Sequence, residues 1–355
     1  MKTTLTLAMS MFMLLAASGL LSAQDDDFDD FDPSMFEEAG EGLKAFCTNK
    51  VLGQSPSSLI SFGFDFQGPT TIGAGPYSTY GAEDIEVGML NGFRFVSNVP
   101  ILSKNNILIN WGVSFVQSQY QFSNDNSNGP FGANLRNHSL KWMNTNFTIF
   151  KPLSERRFLL LQVGGELNGD YSFNNMPELN QLRVPAAFIY GFKPNDNMIW
   201  GPGISRTYLG GALNLLPVIY YYQTFKNPKW GVEALFPARV QARYRWNSRS
   251  VLLMGYQVEG ATYRLSNFGE ELGNTAPAGF NQTELRRSEI RLGLNYNKGL
   301  NDFIWIGAQA GYRINYSFNA DDSEFFRGFD REDFFFENTL TNTLYAQFTI
   351  SMVSP

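Results

Sequence analysis

Fifteen charged residues recur at alternate positions inside apolar runs, and their placement bears most directly on chemistry. They are Asp65, Glu86, Arg94, Glu166, Asp170, Arg183, Glu233, Arg239, Arg243, Arg245, Glu259, Arg287, Glu289, Arg291 and Arg313. Each stands on the parity opposite an apolar stripe. Successive side chains of a strand point to opposite faces, so the alternation separates an oily face from a charged one. Eight arginines set against seven carboxylates admit two arrangements. One is an open path whose ladder of Arg239, Arg243, Arg287 and Arg291 favours anions. The other is a salt-bridged network that fills a narrow interior. The near balance of charge favours the network.

A second candidate is the segment Asp321–Asn338. Asp321, Asp322, Glu324, Asp330, Glu332, Asp333 and Glu337 are interleaved there with Phe325, Phe326, Phe329, Phe334, Phe335 and Phe336. Clustered carboxylates suit Ca²⁺, which takes six to eight oxygens, but the regular spacing of a calcium loop is missing. The segment reads as a solvated loop whose phenylalanines pack at a membrane rim, so no metal or cofactor is expected. Catalysis finds no constellation either. His138 is the single histidine, and its neighbour Ser139 points to the opposite face of a strand, so the two cannot act as nucleophile and base. No zinc spacing, phosphate-cradling glycine loop or nucleophile elbow is present.

The elements that must position these charges are strands. From Trp230 to Trp246 one parity reads Trp, Val, Ala, Phe, Ala, Val, Ala, Tyr, Trp, and the other carries Glu233, Arg239, Arg243 and Arg245. Similar two-faced runs recur along nearly the whole chain, separated alternately by short Pro/Asn/Lys turns and long polar loops. That is the signature of a transmembrane β-barrel, with apolar residues toward lipid, polar residues inward, short periplasmic turns and long outer loops. A charge on the lipid face would cost about 2–4 kcal/mol for Arg or Lys near the midplane, which explains the one-sided placement. Counting the 230–246 ribbon as one strand gives thirteen and puts the last loops on the wrong side. Breaking it at Phe236-Pro237 gives fourteen, because proline lacks a ladder donor and belongs at strand ends. The reading is an all-β, antiparallel, up-and-down barrel of fourteen strands, with twelve or sixteen as the neighbouring counts. The phase lost near Val116 is read as a bulge, and Asn137–Phe150 is the least regular strand.

Three regions divide the chain. Residues 1–23 read as a cleaved signal peptide, with Lys2 ahead of an uncharged apolar stretch and a small-residue cut after Ala23. Residues 24–57 read as an acidic periplasmic tail, either disordered or acting as a plug, with a periplasmic partner as an alternative. Residues 58–355 form the barrel. Removing Lys2 leaves 26 basic and 33 acidic residues, and residues 24–50 hold nine acids against Lys44 and Lys50. The barrel is therefore neutral overall, and no basic surface is available for nucleic acid. The lone Cys47 cannot form an internal disulfide. The 32 Phe, 16 Tyr and 6 Trp supply interfacial girdles.

Gly210–Trp246, with its Trp-Gly-Val-Glu-Ala-Leu-Phe-Pro segment at Trp230–Pro237, and Arg286–Phe318, with its Arg-Leu-Gly-Leu and Ala-Gly-Tyr runs, resemble a family of uncharacterised outer-membrane β-barrel proteins of Gram-negative bacteria. The resemblance covers most of the mature chain. It implies a barrel in the outer membrane, with lipid and the barrel-insertion machinery as partners, and assigns no chemistry. The C-terminus departs from the terminal aromatic of many barrels, ending Met352-Val353-Ser354-Pro355 with Tyr345 and Phe348 further in. The expected function is a porin-like pore or transport protein for small solutes rather than an enzyme. The alternatives are a non-conducting barrel that is structural or binds a ligand or partner, and a tail-plugged barrel passing hydrophobic molecules.

Overall fold

A computed structural model of the protein describes residues 48, 50–76, 81–123, 129–174, 176, 182–207, 214–266, 268, 283–322 and 337–354. The expected signal peptide, the tail up to Cys47 and loop residues 323–336 lie outside them, so Glu324, Phe325, Phe326, Asp330, Glu332 and Asp333 are not placed. Asp321 and Asp322 end a strand.

The strands are β1 (Ser58–Gln67), β2 (Thr70–Ala74), β3 (Glu83–Lys104), β4 (Ile107–Phe122), β5 (Leu140–Pro152), β6 (Arg157–Gly169), β7 (Ala186–Asn195), β8 (Met198–Thr207), β9 (Asn214–Thr224), β10 (Trp230–Phe236), β11 (Arg239–Asn247), β12 (Ser250–Arg264), β13 (Thr283–Gly299), β14 (Ile304–Asp322), β15 (Thr339–Leu340) and β16 (Thr343–Val353). One helix, α1 (Pro130–Asn137), precedes β5. Each strand from β3 to β13 pairs antiparallel with the next, β14 pairs with β16, and β1 pairs with both β16 and β3, which closes the cylinder. β2 continues the line of β1, and β15 precedes β16 on the same line; the two short pieces pair with each other. Sixteen segments thus make a closed barrel of fourteen staves. The ribbon breaks at Phe236-Pro237 as the turn chemistry requires, and that peptide bond is cis.

The exterior carries the apolar stripes. Phe64, Leu294, Ile306, Phe348 and Ile350 are among its exposed residues. Near the short turns an aromatic chain of Trp230, Tyr244, Trp246 and Tyr296 joins ring to ring at 4.7–5.8 Å. An apolar belt closed off by aromatics suits acyl chains and their interface. The molecule is an outer-membrane β-barrel, and the fold agrees with what the resemblance implies.

The staves are unequal. β7 to β11 have 7–11 residues, whereas β3 has 22 and β14 has 19. Above these short strands β6 and β12 meet directly. Gly169 bridges Arg264, Asp170 N donates to Arg264 O at 3.0 Å, and Ser266 N donates to Asp170 Oδ1 at 2.8 Å. The upper barrel is thereby pinched to nine staves, and its interior is apolar. Ile85, Leu90, Tyr120, Ala261, Leu285 and Phe318 form a buried cluster there. Helix α1 fills it from within, with Phe131 and Leu135 one turn apart on its buried face. Phe131 meets Phe268 and Phe318 edge-on, and Asn134 Nδ2 donates to Asp170 Oδ2 at 3.0 Å.

This apolar upper interior corrects two readings of the sequence. β4 has no bulge near Val116, since its register with β5 runs unbroken from Leu108 to Ser118. The stripe inverts because the strand leaves lipid, so Gln119 and Gln121 are exposed while Tyr120 turns into the core. The helix replaces part of what read as a polar loop and the start of an irregular strand. The bulge lies in β3 instead, where the register with β4 shifts between Val87 and Met89. Below it Arg94 points inward, but above it Ile85 and Val87 do, so Glu86 is exposed on the outer face and is not lumen-facing. One extra residue is enough to exchange the faces of a strand.

Candidate functional site: a half-filled lumen

The charges expected to face the lumen converge in two groups. In the larger group, Arg94 donates from Nη2 to Asp65 Oδ2 at 2.7 Å and from Nη1 to Glu259 Oε1 at 3.0 Å. Arg291 reaches Asp65 Oδ2 at 3.0 Å, Glu289 Oε1 at 2.6 Å and Glu259 Oε2 at 3.3 Å, and its guanidinium lies 5.1 Å from the centre of the Tyr345 ring. Arg287 Nη2 donates to Glu289 Oε2 at 2.9 Å. Three guanidinium groups and three carboxylates neutralise one another, with the bidentate geometry that makes such pairs strong. The cluster spans the lumen between β1, β3, β12 and β13.

Arg313 has a different task. It donates to Gln67, to Thr70 Oγ1 at 3.3 Å and to Thr341 O at 2.8 Å. Those acceptors flank the breaks between β1 and β2 and between β15 and β16. A broken ladder frees backbone carbonyls, which must be satisfied away from water; Arg313 takes the Thr341 carbonyl at one break and bonds to the side chains of Gln67 and Thr70 at the other. Arg183 acts at the pinch, donating to Thr262 O and pairing with Glu284 at 2.5 Å. Its backbone bridges Glu166, ahead of β7, which begins only at Ala186.

The smaller group lies near the short turns. Arg243 is fully buried, donating to Glu233 Oε1 at 2.9 Å and to Thr224 Oγ1 at 2.6 Å. Arg239 donates to Tyr222 at 3.0 Å. Here the chain ahead of β1 enters the barrel. Val51 and Gln54 close a turn (Gln54 N to Val51 O, 3.2 Å) that needs a positive φ, which Gly53 supplies at +70°. Leu52 N donates to Asp196 O at 2.9 Å, Thr224 Oγ1 donates to Leu52 O, Ser55 N donates to Glu233 Oε1 at 2.9 Å, and Arg245 Nη2 donates to Gln54 O at 2.8 Å. Val51 is buried in an apolar collar of Phe150, Phe158, Ile199 and Tyr222, with Leu108, Leu160 and Tyr220 packed around it. The collar explains why β9 reads as apolar on both faces: Leu215 and Ile219 are exposed outside, while Tyr220 and Tyr222 line the mouth.

Three of the four ladder arginines, Arg243, Arg287 and Arg291, are thus paired with carboxylates, and Arg239 bonds to the Tyr222 hydroxyl. Arg239, Arg243, Arg287 and Arg291 all bond to protein groups. The sequence reading missed the other half of the lumen, between β4 and β8. There a cavity of about 250 Å³ is lined by Ser114, Trp142, Asn144, Asn146, Gln162 and Glu166, among others. Trp142 also borders a second cavity of about 260 Å³ beside Arg94 and Glu259. A third, of about 570 Å³, lies beside residues 50–56 at the short-turn mouth. The missed signal was polar rather than charged: Asn144, Asn146 and Thr148 alternate with Met143, Thr145 and Phe147 in the strand that looked least regular.

The class defined by this geometry is an outer-membrane β-barrel of fourteen staves with an occupied interior. No family model matches the sequence, and no curated protein matches it. Among solved structures, the Pseudomonas putida toluene transporter TodX is similar at 10% identity and a TM-score of 0.32, over 84% of this chain and 90% of that one. A FadL homologue of Pseudomonas aeruginosa gives 9% and 0.36 over 83% and 90%. The outer-membrane protease OmpT of Escherichia coli gives 8% and 0.28 over 84% and 99%. At these values the likeness carries no argument about what this chain transports or cleaves.

Proposed function

We propose that the protein is a transport barrel for small solutes, stopped at its short-turn mouth by its own residues 50–57. One observation carries this reading: the interior is only partly filled, with a cavity of about 260 Å³ beside the arginine–carboxylate cluster and another of about 250 Å³ between β4 and β8. The arginine–carboxylate cluster crosses the lumen near β1, β3, β12 and β13, while the β4–β8 half holds a cavity lined largely by polar side chains. Beneath that hollow half sits the collar, and its centre is occupied by Val51. A stopper bound by side chains and a few turn carbonyls, rather than by a sheet ladder, can leave without breaking the wall. A purely structural barrel has no need of a hollow half.

The test is conductance of the full-length protein in planar bilayers, beside the Val51→Asp variant. The carboxylate places a charge in the apolar collar and disfavours seating of the stopper. The expected result is low conductance in the parent and steps several-fold larger or more frequent in the variant. If Val51→Asp does not insert, Arg245→Ala combined with Thr224→Val removes two anchors instead. Inserted variants with no gain in conductance would support the non-conducting alternative.

A further inference from the structure

The hollow half of the lumen contains a built trough. Its floor follows from register. Gly112 on β4, Asn146 on β5 and Gly164 on β6 are paired in one inward row. A Cβ at Gly112 would stand 2.8 Å from the Asn146 amide, and one at Gly164 would stand 3.0 Å from Asn146 Cβ. The two glycines therefore keep both flanks of Asn146 clear. The row on one side is Ser114, Asn144 and Glu166; the row on the other holds Thr148 and Gln162. A recessed row between two polar rows makes a groove across three strands, and Trp142 stands one row beyond it.

The side chains in the groove are organised among themselves. Gln162 Nε2 donates to Asn146 Oδ1 at 3.2 Å, Asn146 Nδ2 to Asn144 Oδ1 at 2.8 Å, and Asn144 Nδ2 to Glu166 Oε1 at 3.2 Å. Each carboxamide has two N–H donors and two acceptor lone pairs, so these bonds leave capacity unspent on every one. The bonds also hold the amides in fixed orientations. The result is a fixed, alternating array of donors and acceptors with an aromatic surface at one end.

We propose that this trough binds a small neutral polyhydroxylated solute, a monosaccharide or its reduced polyol. Hydroxyl groups both donate and accept, which matches an amide ladder, and Trp142 offers an apolar surface for the C–H side of such a molecule. The volume of about 250 Å³ lies below the usual range for drug-sized ligands, which selects one ring rather than an oligomer. A hydrocarbon would strip water from the amides without replacing its hydrogen bonds. The inference rests on the transport reading and names the class of solute carried.

Isothermal titration calorimetry of the full chain in detergent tests it, with D-glucose, D-galactose, D-mannitol and myo-inositol as probes and toluene as the apolar control. At least one polyol binds saturably, and Asn146→Leu, which fills the trough, weakens that binding at least tenfold. Gln162→Leu is the second variant if the first does not fold, as judged by heat-modifiable migration. Failure of all four polyols to bind, unchanged binding in the folded variants, or equal competition by toluene overturns the proposal. A barrel that conducts after loss of its stopper yet binds no polyol sinks this inference alone. One that binds a polyol but never conducts sinks the transport reading.

Discussion

Arg94 on β3 donates from Nη1 to Glu259 Oε1 on β12 at 3.0 Å, although four staves stand between the two strands. The contact crosses the lumen. Together with Arg291 and Asp65 it makes a polar cross-brace, with free volume both beside it and on the β4–β8 side.

Arg291 is the centre of that brace, nearly fully buried and touching three carboxylates. Removing one partner of a buried ion pair typically costs about 3–5 kcal/mol, because the other charge remains uncompensated. Arg291→Met is expected to lower stability by an amount of that order in urea unfolding from lipid vesicles. Adding Asp65→Asn is expected to recover part of the loss, and additive single and double variants would deny the coupling.

Phe158 lies over Gly191, its paired residue on β7; a Cβ at Gly191 would come far inside van der Waals contact of the ring's Cζ. Phe158 is itself buried in the collar against Phe150, 4.9 Å between ring centres. Gly191→Ala is therefore an overpacking substitution expected to cost about 1–3 kcal/mol. A shift in the midpoint of urea unfolding measures it, and an unchanged midpoint would show that the ring is free to move.

The lipid belt makes its own prediction. Leu294 is about half exposed on the outer face of β13, between Ile290 and Tyr296. Leu294→Arg is expected to destabilise the barrel in vesicles by about 2–4 kcal/mol if it stands near the midplane. The same arginine in detergent should cost less, where the micelle adapts to it. Equal effects in both would place this face away from lipid.

The face exchange at the β3 bulge is open to labelling. In a Cys47→Ser background, Glu86→Cys is expected to react with a membrane-impermeant maleimide added to whole cells, because residue 86 is exposed above the belt. Arg94→Cys, further along β3 beyond the bulge and facing inward, is expected to stay unlabelled. Labelling in the reverse order would contradict the register shift between Val87 and Met89.

The sequence alone determined the barrel and favoured fourteen staves with a break at Phe236-Pro237 over twelve or sixteen, because alternation with period two and the chemistry of proline are local properties; closure decided the count. It also determined that Arg94, Arg243 and Arg291 share the inward face, since each is flanked on both sides by apolar residues of the outward parity, and Arg287 shares the parity of Arg291. It did not determine Glu86, because one bulged residue between it and Arg94 reverses the parity and leaves no compositional mark. Nor did it show the upper apolar core, where inside and outside exchange polarity once the strands leave lipid. The pairing of Arg94 with Glu259, the pinch of β6 against β12 and the trough at Asn146 were decided by tertiary structure alone. Each depends on which staves face one another across a closed cylinder, and that follows from closure and register, not from any single run of residues.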